Sequence, residues 1–270
     1  MGKPDFNRSD DRKIDDSSAL RPDLVYEVIR REGDEELDRS YRSLILASFA
    51  AGLAISASVI GEAMIAKQLP DQPWAELVAD IGYSFGFIIV ILGRLQLFTE
   101  HTITAVLPIA YAPTPRNLLR LLRIWGLVLG GNVVGATVAA WYLVNSGALD
   151  PDAVAAVLDI GHHIMGDPFH IVVAKGVGAG FLIAALVWML PSAGAGGRLA
   201  VIFLVTWLIA ISGFAHVIAG TVEIATLVFV GEYTVGGVVM EFWLPALIGN
   251  MIGGTALFSV LAYRQIRDDL

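Results

Sequence analysis

The chain has 270 residues, of which 56% are hydrophobic and only 16% are charged, a balance that argues against an ordinary water-soluble domain. Its formal net charge is −8 and no basic face extends beyond the N-terminal segment, which excludes nucleic acid as a partner. The absence of cysteine excludes disulfides and thiolate metal sites. We therefore expect an all-α integral membrane protein.

The N-terminal segment, residues 1–40, is polar and lacks the short apolar core of a secretory signal, so we expect it to stay in the cytoplasm. From Pro22 to Arg39, apolar residues are interspersed with charges, which predicts an amphipathic helix. The helix lies either on the membrane surface or packed on the body of the protein, and the sequence leaves both open. The residues before Pro22 are expected to be disordered.

Six apolar runs are long enough to cross the roughly 30 Å hydrocarbon core of a bilayer. They cover residues 41–65, 77–112, 119–144, 169–190, 199–230 and 242–263. The second and fifth runs exceed what one helix needs, which predicts that each is broken. Polar residues mark the breaks, around Arg94 to His101 in the second run and around Ser212 to His216 in the fifth.

The runs divide the chain into two transmembrane repeats, residues 41–145 and 169–270, joined by a periplasmic connection at 146–168. Lys and Arg indicate the orientation, because cytoplasmic flanks are enriched in these residues. One set of flanks holds fifteen of them, and the opposite set holds only Lys67. We expect a multi-pass protein with both termini in the cytoplasm, the second repeat ending in a short cytoplasmic tail.

A short glycine-asparagine motif occurs in the third run and again in the sixth, 118 residues later. Its residues are Gly131, Asn132 and Gly135 in the first copy and Gly249, Asn250 and Gly253 in the second. Three runs separate the copies, so the second half is inverted relative to the first. Glycines four residues apart let helices approach closely, and we assign both motifs mainly to helix packing. The same offset matches Phe98 in one break with His216 in the other.

The two predicted breaks favour an anion. Non-helical backbone within a membrane persists only where it is buried in protein or faces water. Half-helix N-termini at such breaks carry partial positive charge and free N–H donors. The pattern therefore predicts a midplane site, formed by both halves, that prefers small anions.

The residues at the breaks resemble the formate/nitrite transporter family. GRLQLFT at 93–99 is similar to the family's G-x-x-L-F-T segment, and SGFAH at 212–216 is similar to its S-G-F-E-H segment. The glycine-asparagine motifs fit as well, so the resemblance covers about residues 22–265. It implies an aquaporin-like protomer with its own pore, a homopentamer, and passage of formate, nitrite or related weak-acid anions across the inner membrane of a bacterium.

The resemblance also implies roles for individual residues. Leu97, Phe98 and Thr99 would form part of the cytoplasmic side of the pore, and His216 would lie between two apolar constrictions, close to Phe214. Four matched positions are less polar here than in the family pattern. They are Gly180, Ala215, Val217 and Gly220. These departures indicate a divergent branch whose substrate can differ.

Charged residues within apolar runs need a partner or a function. Arg94 either forms a buried ion pair with Glu62, Glu100 or Glu223, or binds the anion itself. Arg94 and Glu223 are charges that well-known family members generally lack. Lys175 either snorkels to the membrane interface or attracts anions to the pore mouth.

His216 and Thr99 are candidates for contact with the substrate. An imidazole can donate a hydrogen bond to an anion or, once protonated, pass it a proton, so that a weak acid crosses as the neutral species. Thr99 either gates the loop by hydrogen bonding or caps the half-helix that follows.

We therefore predict a channel or proton-linked transporter for small monovalent weak-acid anions, with anions, protons and lipid as its partners. Two alternatives remain open: a channel for small neutral solutes, and a transport-inactive scaffold or sensor plugged by Arg94. The sequence contains no recognisable metal-ligand cluster or nucleophile-base pair. We expect no enzymatic activity, no cofactor and no metal.

Overall fold

The computed structural model describes residues 20–267, and all regular structure in that range is helical. The segment expected to be disordered, before Pro22, falls almost wholly outside the described residues. In chain order the helices are α1 (Pro22–Asp38), α2 (Tyr41–Ala54), α3 (Ser56–Ala66), α4 (Ala75–Ala79), α5 (Ser84–Leu92), a 3-10 turn (Glu100–Thr102), α6 (Val106–Tyr111), α7 (Pro115–Asn145), α8 (Pro151–Ile164), α9 (Phe169–Met189), α10 (Ala195–Ile211), α11 (Val217–Phe229), α12 (Val235–Val238), a π-helical turn (Val239–Trp243), α13 (Leu244–Met251), a second π-helical segment (Ile252–Ser259) and α14 (Val260–Arg267).

Five helices of the described range are long and apolar enough to cross a membrane. They are Tyr41–Ala66, Ala75–Leu92, Pro115–Asn145, Phe169–Met189 and Val235–Ile266. The fifth predicted run forms two shorter apolar helices, α10 and α11, separated by a turn. The second run is interrupted as well, since α5 ends at Leu92 and α6 begins at Val106. The prediction of an all-α membrane protein with broken second and fifth helices is confirmed.

Capping residues fix where α7 and α8 begin. Thr114 accepts a hydrogen bond from the Asn117 N–H at 3.2 Å, and Pro115 follows as the first residue of α7. Asp150 accepts one from the Ala153 N–H at 2.9 Å and starts α8. The segment expected only as a connection between the repeats therefore contains a helix of its own, whose Gly161 packs against α11.

The N-terminal helix α1 packs on the body of the protein. It buries one face, with Ile29 and Leu37 almost inaccessible to solvent. Its Gly33 lies against the backbone before α6, where an added Cβ would sit 2.0 Å from the Thr104 carbonyl oxygen. Arg120 of α7 donates to Asp38 at 2.5 Å and anchors the end of α1. Of the two positions that the sequence left open for this helix, the structure has the packed one.

Glycines bring two helix pairs into backbone contact at equivalent places in the halves. A Cβ added to Gly135 of α7 would lie 2.2 Å from the Phe49 carbonyl oxygen of α2. A Cβ added to Gly253 would lie 2.1 Å from the Val177 carbonyl oxygen of α9. Only glycine permits this separation, so each half is built around one close helix pair.

Substitution of Gly253 by Ala is expected to destabilise the protein, because the methyl group must push two backbones apart. Overpacking of this kind costs about 1–3 kcal/mol, and the melting temperature should fall by roughly 5 °C or more. Gly196→Ala is the matched control, since nothing lies within 4 Å of its added Cβ. Equal melting temperatures for the two variants would contradict this account of helix packing.

Candidate pore site

A cavity of about 1160 Å³ opens on the face opposite α1 and extends inward to His216. The loop between α3 and α4 and the helix α8 form its mouth, and the turn between α10 and α11 forms its inner end. This turn includes Gly213, whose positive φ of 59° favours glycine. We call this space the vestibule. It brings the fifth-helix break into contact with solvent from one side.

The two breaks meet at a hydrogen bond between Thr99 and His216. Thr99 Oγ1 lies 2.8 Å from His216 Nε2, and both residues are buried. His216 also caps α11, since its Nδ1 accepts from the Ala219 N–H at 3.2 Å. Because Nδ1 is an acceptor, the neutral ring is assigned its hydrogen on Nε2, facing Thr99. The Phe87 ring packs edgewise on the imidazole with centroids 4.9 Å apart.

Asn132 holds the break of the second helix. Its Oδ1 accepts from the Phe98 N–H at 2.8 Å. Its Nδ2 donates to the carbonyl oxygens of Ser48 and Gln96, at 2.8 and 2.7 Å. One buried amide thus satisfies three backbone groups, two of them at the break itself.

Asn250 makes the same three bonds in the other half. Its Oδ1 accepts from the Val217 N–H at 2.9 Å, and its Nδ2 donates to Gly176 and Ala215 carbonyl oxygens at 2.9 and 2.7 Å. The two asparagines are therefore backbone anchors of the breaks. Their assignment mainly to helix packing was incomplete, because sequence spacing does not reveal hydrogen-bond partners in another helix.

The hydrogen bonds of Asn132 and Asn250 show which residues of the two breaks are equivalent, and they shift the alignment of the two halves by one residue. Phe98 lies 34 residues before Asn132, whereas Val217 lies 33 residues before Asn250. Phe98 therefore corresponds to Val217, and the match of Phe98 with His216 was wrong. The first half has one more residue between its break and its asparagine, which a constant offset cannot represent.

Leu97, Phe98 and Thr99 form a buried layer on the side of His216 away from the vestibule. None of the three lines the vestibule, and the Phe98 ring packs edgewise on Trp125 with centroids 6.0 Å apart. The Thr99 side chain does not cap the following 3-10 turn. Of the two roles considered for Thr99, its hydroxyl is therefore placed for hydrogen bonding across the break.

The rings of two phenylalanines in the vestibule wall occupy the space that side chains at two glycine positions would need. Phe214 and Phe242 both line it. A Cβ added to Gly178 would lie 2.6 Å from the Phe214 ring, and one added to Gly220 would lie 2.2 Å from the Phe242 ring. Gly220, one of the four positions that are less polar than the family pattern, thus leaves space for the Phe242 ring beside the pore.

Lys175 lines the vestibule, but its charge is already paired. Its Nζ donates to Asp167 Oδ2 at 2.5 Å, and both side chains are about one-third exposed. A neutral pair attracts anions less than a free ammonium would.

Arg94 lies at the surface, outside the vestibule. Its side chain is 77% exposed, and its Nη2 is 3.9 Å from Glu32 Oε1 of α1. The backbone at Arg94 has a φ of 51°, so the chain turns sharply just after α5 ends. The expectation of a buried Arg94 paired within the membrane was wrong, because this turn directs the side chain toward α1.

Glu223 of α11 is only 4% exposed and lines the vestibule. Thr226 donates to its main-chain carbonyl oxygen. Within residues 20–267, no hydrogen bond or salt bridge reaches its carboxyl group. The carboxyl group therefore faces the vestibule without a protein partner.

Several residues of the vestibule were not identified from the sequence as part of a site. They are Asp80, Tyr83 and Phe242, and Glu62 had been considered only as a partner for Arg94. Phe87, which packs on His216 without lining the vestibule, was not identified either. Asp80 and Glu62 carried a usable signal, since an ionisable residue within an apolar run is a candidate functional group.

Two inverted halves, each with a broken helix anchored by an equivalent asparagine, define a multi-pass membrane protein of the aquaporin-like pore class. A model of the formate/nitrite transporter family matches residues 23–264. The chain belongs to the formate/nitrite transporter family. It is 40% identical over 256 residues to the inner membrane protein YfdC of Escherichia coli (strain K12), covering 95% of this chain and 82% of that protein.

Two solved structures share the fold. An FNT family ion channel superposes with a TM-score of 0.77 at 19% identity, covering 89% of this chain and 98% of that chain. A pentameric formate channel with formate bound superposes with a TM-score of 0.71 at 20% identity, covering 84% of this chain and 97% of that chain. Family membership supports a role in anion transport across a membrane.

Proposed function

We propose that this protein is a channel or proton-linked transporter for small monovalent weak-acid anions, such as formate or nitrite, in a bacterial inner membrane. The observation that carries the proposal is the 2.8 Å contact between Thr99 and His216 at the junction of the two breaks. The polar hydrogens of this contact lie at the inner end of the open vestibule, next to the buried apolar side chains of Leu97 and Phe98.

A weak acid crosses that apolar layer more easily as the neutral molecule, because a bare charge loses its hydration there. His216 Nδ1 is occupied by the Ala219 N–H, so a proton added to Nδ1 would break the cap of α11. The neutral imidazole therefore acts as a hydrogen-bond donor through Nε2. The substrate takes its proton from water in the vestibule.

The test of this function is an uptake panel in proteoliposomes with formate, nitrite, chloride and glycerol. Uptake of the weak acids is expected. Glycerol permeation without weak-acid uptake would instead favour the neutral-solute channel. The alternative of a pore plugged by Arg94 has no support, since the Arg94 side chain is exposed beside Glu32.

A homopentamer is part of the proposal. The solved neighbour described as a pentameric formate channel supports it. So does an exposed apolar groove lined by Ile45, Phe49, Gly130 and Val134, where nothing lies within 4 Å of an added Cβ at Gly130. Close packing of a neighbouring protomer would fill such a groove.

We further propose that both termini and the face carrying α1 are cytoplasmic, because Lys and Arg concentrate on that face. The chain has no cysteine, so single-Cys variants report topology cleanly. In intact cells a membrane-impermeant thiol reagent should label Asp71→Cys, at the vestibule mouth, and leave Ser192→Cys unlabelled. The reverse labelling pattern would contradict this orientation.

A further inference from the structure

Three buried polar side chains in the inner vestibule have no partner among residues 20–267. Glu223 of α11 is 4% exposed and Asp80, just after α4, is 7% exposed, and no hydrogen bond or salt bridge within this range reaches either carboxyl group. Tyr83 is 6% exposed and lines the same space, and its hydroxyl group has no hydrogen-bond partner in this range either. Buried polar groups normally have partners, so three of them in one wall indicate a ligand that supplies the missing contacts.

Glu62 of α3 adds a third carboxyl group to the same wall. Glu62, Asp80 and Glu223 all lie close enough to Tyr83 to influence it electrostatically when they are charged. The four side chains therefore surround one space, although they come from different parts of the chain.

The two lysines of the vestibule lining are paired with other carboxylates. Lys67 Nζ lies 2.6 Å from both carboxylate oxygens of Asp150, and Lys175 Nζ lies 2.5 Å from Asp167 Oδ2. A carboxyl group that is buried without a counter-charge keeps its proton, because burial disfavours the charged form. The inner carboxyl groups can therefore ionise only when a cation enters beside them.

Aromatic rings form another part of the wall. Tyr83, Phe214 and Phe242 line the vestibule, and the face of an aromatic ring attracts a cation. Within the described range no group of three or more acidic or histidine side chains has the arrangement of a metal site. Separated carboxyl groups, a hydroxyl group and aromatic rings suit a cation that donates several hydrogen bonds better than they suit a metal ion.

We propose that the inner vestibule is a binding site for a primary ammonium group, either ammonium itself or a small alkylammonium ion, with Glu223 as its principal partner. The nitrogen donates hydrogen bonds to Glu223, to the Tyr83 hydroxyl oxygen and to Glu62 or Asp80. Binding releases one proton, because the carboxyl O–H bond breaks, the carboxylate pairs with the ammonium group and the proton passes to water. The site goes beyond the anion transport proposed above and does not depend on it.

The other titratable groups that face Glu223 lie on the neighbouring helices. Besides the residues of α3 and α4 already named, α8 contributes Asp152, Asp159 and His163 to the lining, and all three are exposed. Lys175 of α9 is paired, and His216 caps α11. The helices α7 and α13 contribute no charged side chain to the lining. Because solvent screens the exposed groups, we assign the released proton to an inner carboxyl group.

The experiment measures methylammonium binding to the purified full chain in detergent by isothermal titration calorimetry. Titrations in two buffers of equal pH and different ionisation enthalpy count the protons released, and we expect about one per bound methylammonium. Glu223→Gln should weaken binding at least about tenfold, because a hydrogen bond between charged groups is lost. Tyr83→Phe removes only the hydroxyl group and should weaken binding by a smaller factor.

Glu76→Gln is the matched control. Glu76 lines the same vestibule, but its side chain is 70% exposed, so removal of its charge should change the affinity little. Sodium chloride titrated in place of methylammonium chloride controls for ionic strength and for chloride, and it should give no comparable heat of binding.

Several outcomes would overturn the site. They are absence of methylammonium binding by the wild type, equal affinities of the wild type and a folded Glu223→Gln variant, and equal losses in Glu76→Gln and Glu223→Gln. Should Glu223→Gln fail to fold, binding by the wild type without proton release, or unchanged binding by Tyr83→Phe, would overturn it as well. None of these results bears on weak-acid uptake, which tests the proposed function separately.

Discussion

Substitution of His216 by Phe is expected to reduce weak-acid flux by about 10- to 100-fold. The ring keeps a similar bulk but loses the Nε2 donor that lies 2.8 Å from Thr99. The permeating acid is neutral and buried at this point, and loss of its hydrogen-bond partner there costs about 1–3 kcal/mol, which corresponds to roughly that range of rates. Flux is measured in proteoliposomes, with thermal stability and oligomer size determined on the same samples.

A second substitution separates transport from folding, because His216 also caps α11 through Nδ1. Asn is a favourable N-cap residue but is too short to replace Nε2 opposite Thr99. His216→Asn should therefore lose flux as severely as His216→Phe, with a smaller loss of stability. Thr99→Val, which removes the hydroxyl partner, should also reduce flux, while Thr99→Ser should retain most of it. Wild-type flux in folded His216→Phe and His216→Asn variants would refute the proposed role of the imidazole.

Substitution of Asn250 by Leu is expected to have the largest effect on folding. It removes three hydrogen bonds at once and leaves the Val217 N–H and the carbonyl oxygens of Gly176 and Ala215 buried without partners. Each buried unsatisfied group costs about 1–3 kcal/mol, so the melting temperature should fall by roughly 10 °C or more. The measurement is thermal unfolding in detergent, followed by gel filtration.

Two further variants test whether the lost hydrogen bonds of the Asn250 amide cause the loss of stability. Asn145→Leu changes the same residue type at the exposed end of α7 and should leave the melting temperature nearly unchanged. Asn250→Asp keeps an acceptor for the Val217 N–H but loses both N–H donors, and it should be intermediate. A melting temperature of Asn250→Leu equal to that of Asn145→Leu would show that the amide does not anchor the break.

Family membership could be predicted from the sequence because short contiguous segments indicate it. The GRLQLFT segment at 93–99 and the SGFAH segment at 212–216 each carry it locally, and the matched family model covers 23–264. The acidic lining of the vestibule could not be predicted from the sequence. Its inner acidic residues include Glu62 of α3, Asp80 just after α4 and Glu223 of α11, which face one space only after the halves have packed.

The sequence by itself determined the class of protein, the two broken helices and the inverted halves. These features follow from hydrophobic run length, polar interruptions and glycine spacing, which are properties of neighbouring residues. The tertiary structure alone decided the one-residue register between the halves, the exposure of Arg94, the pairing of Lys175 with Asp167 and the contact between Thr99 and His216. A backbone turn, a hydrogen bond or an ion pair sets each of these, and the partners needed to satisfy buried polar groups become defined only when the chain has packed.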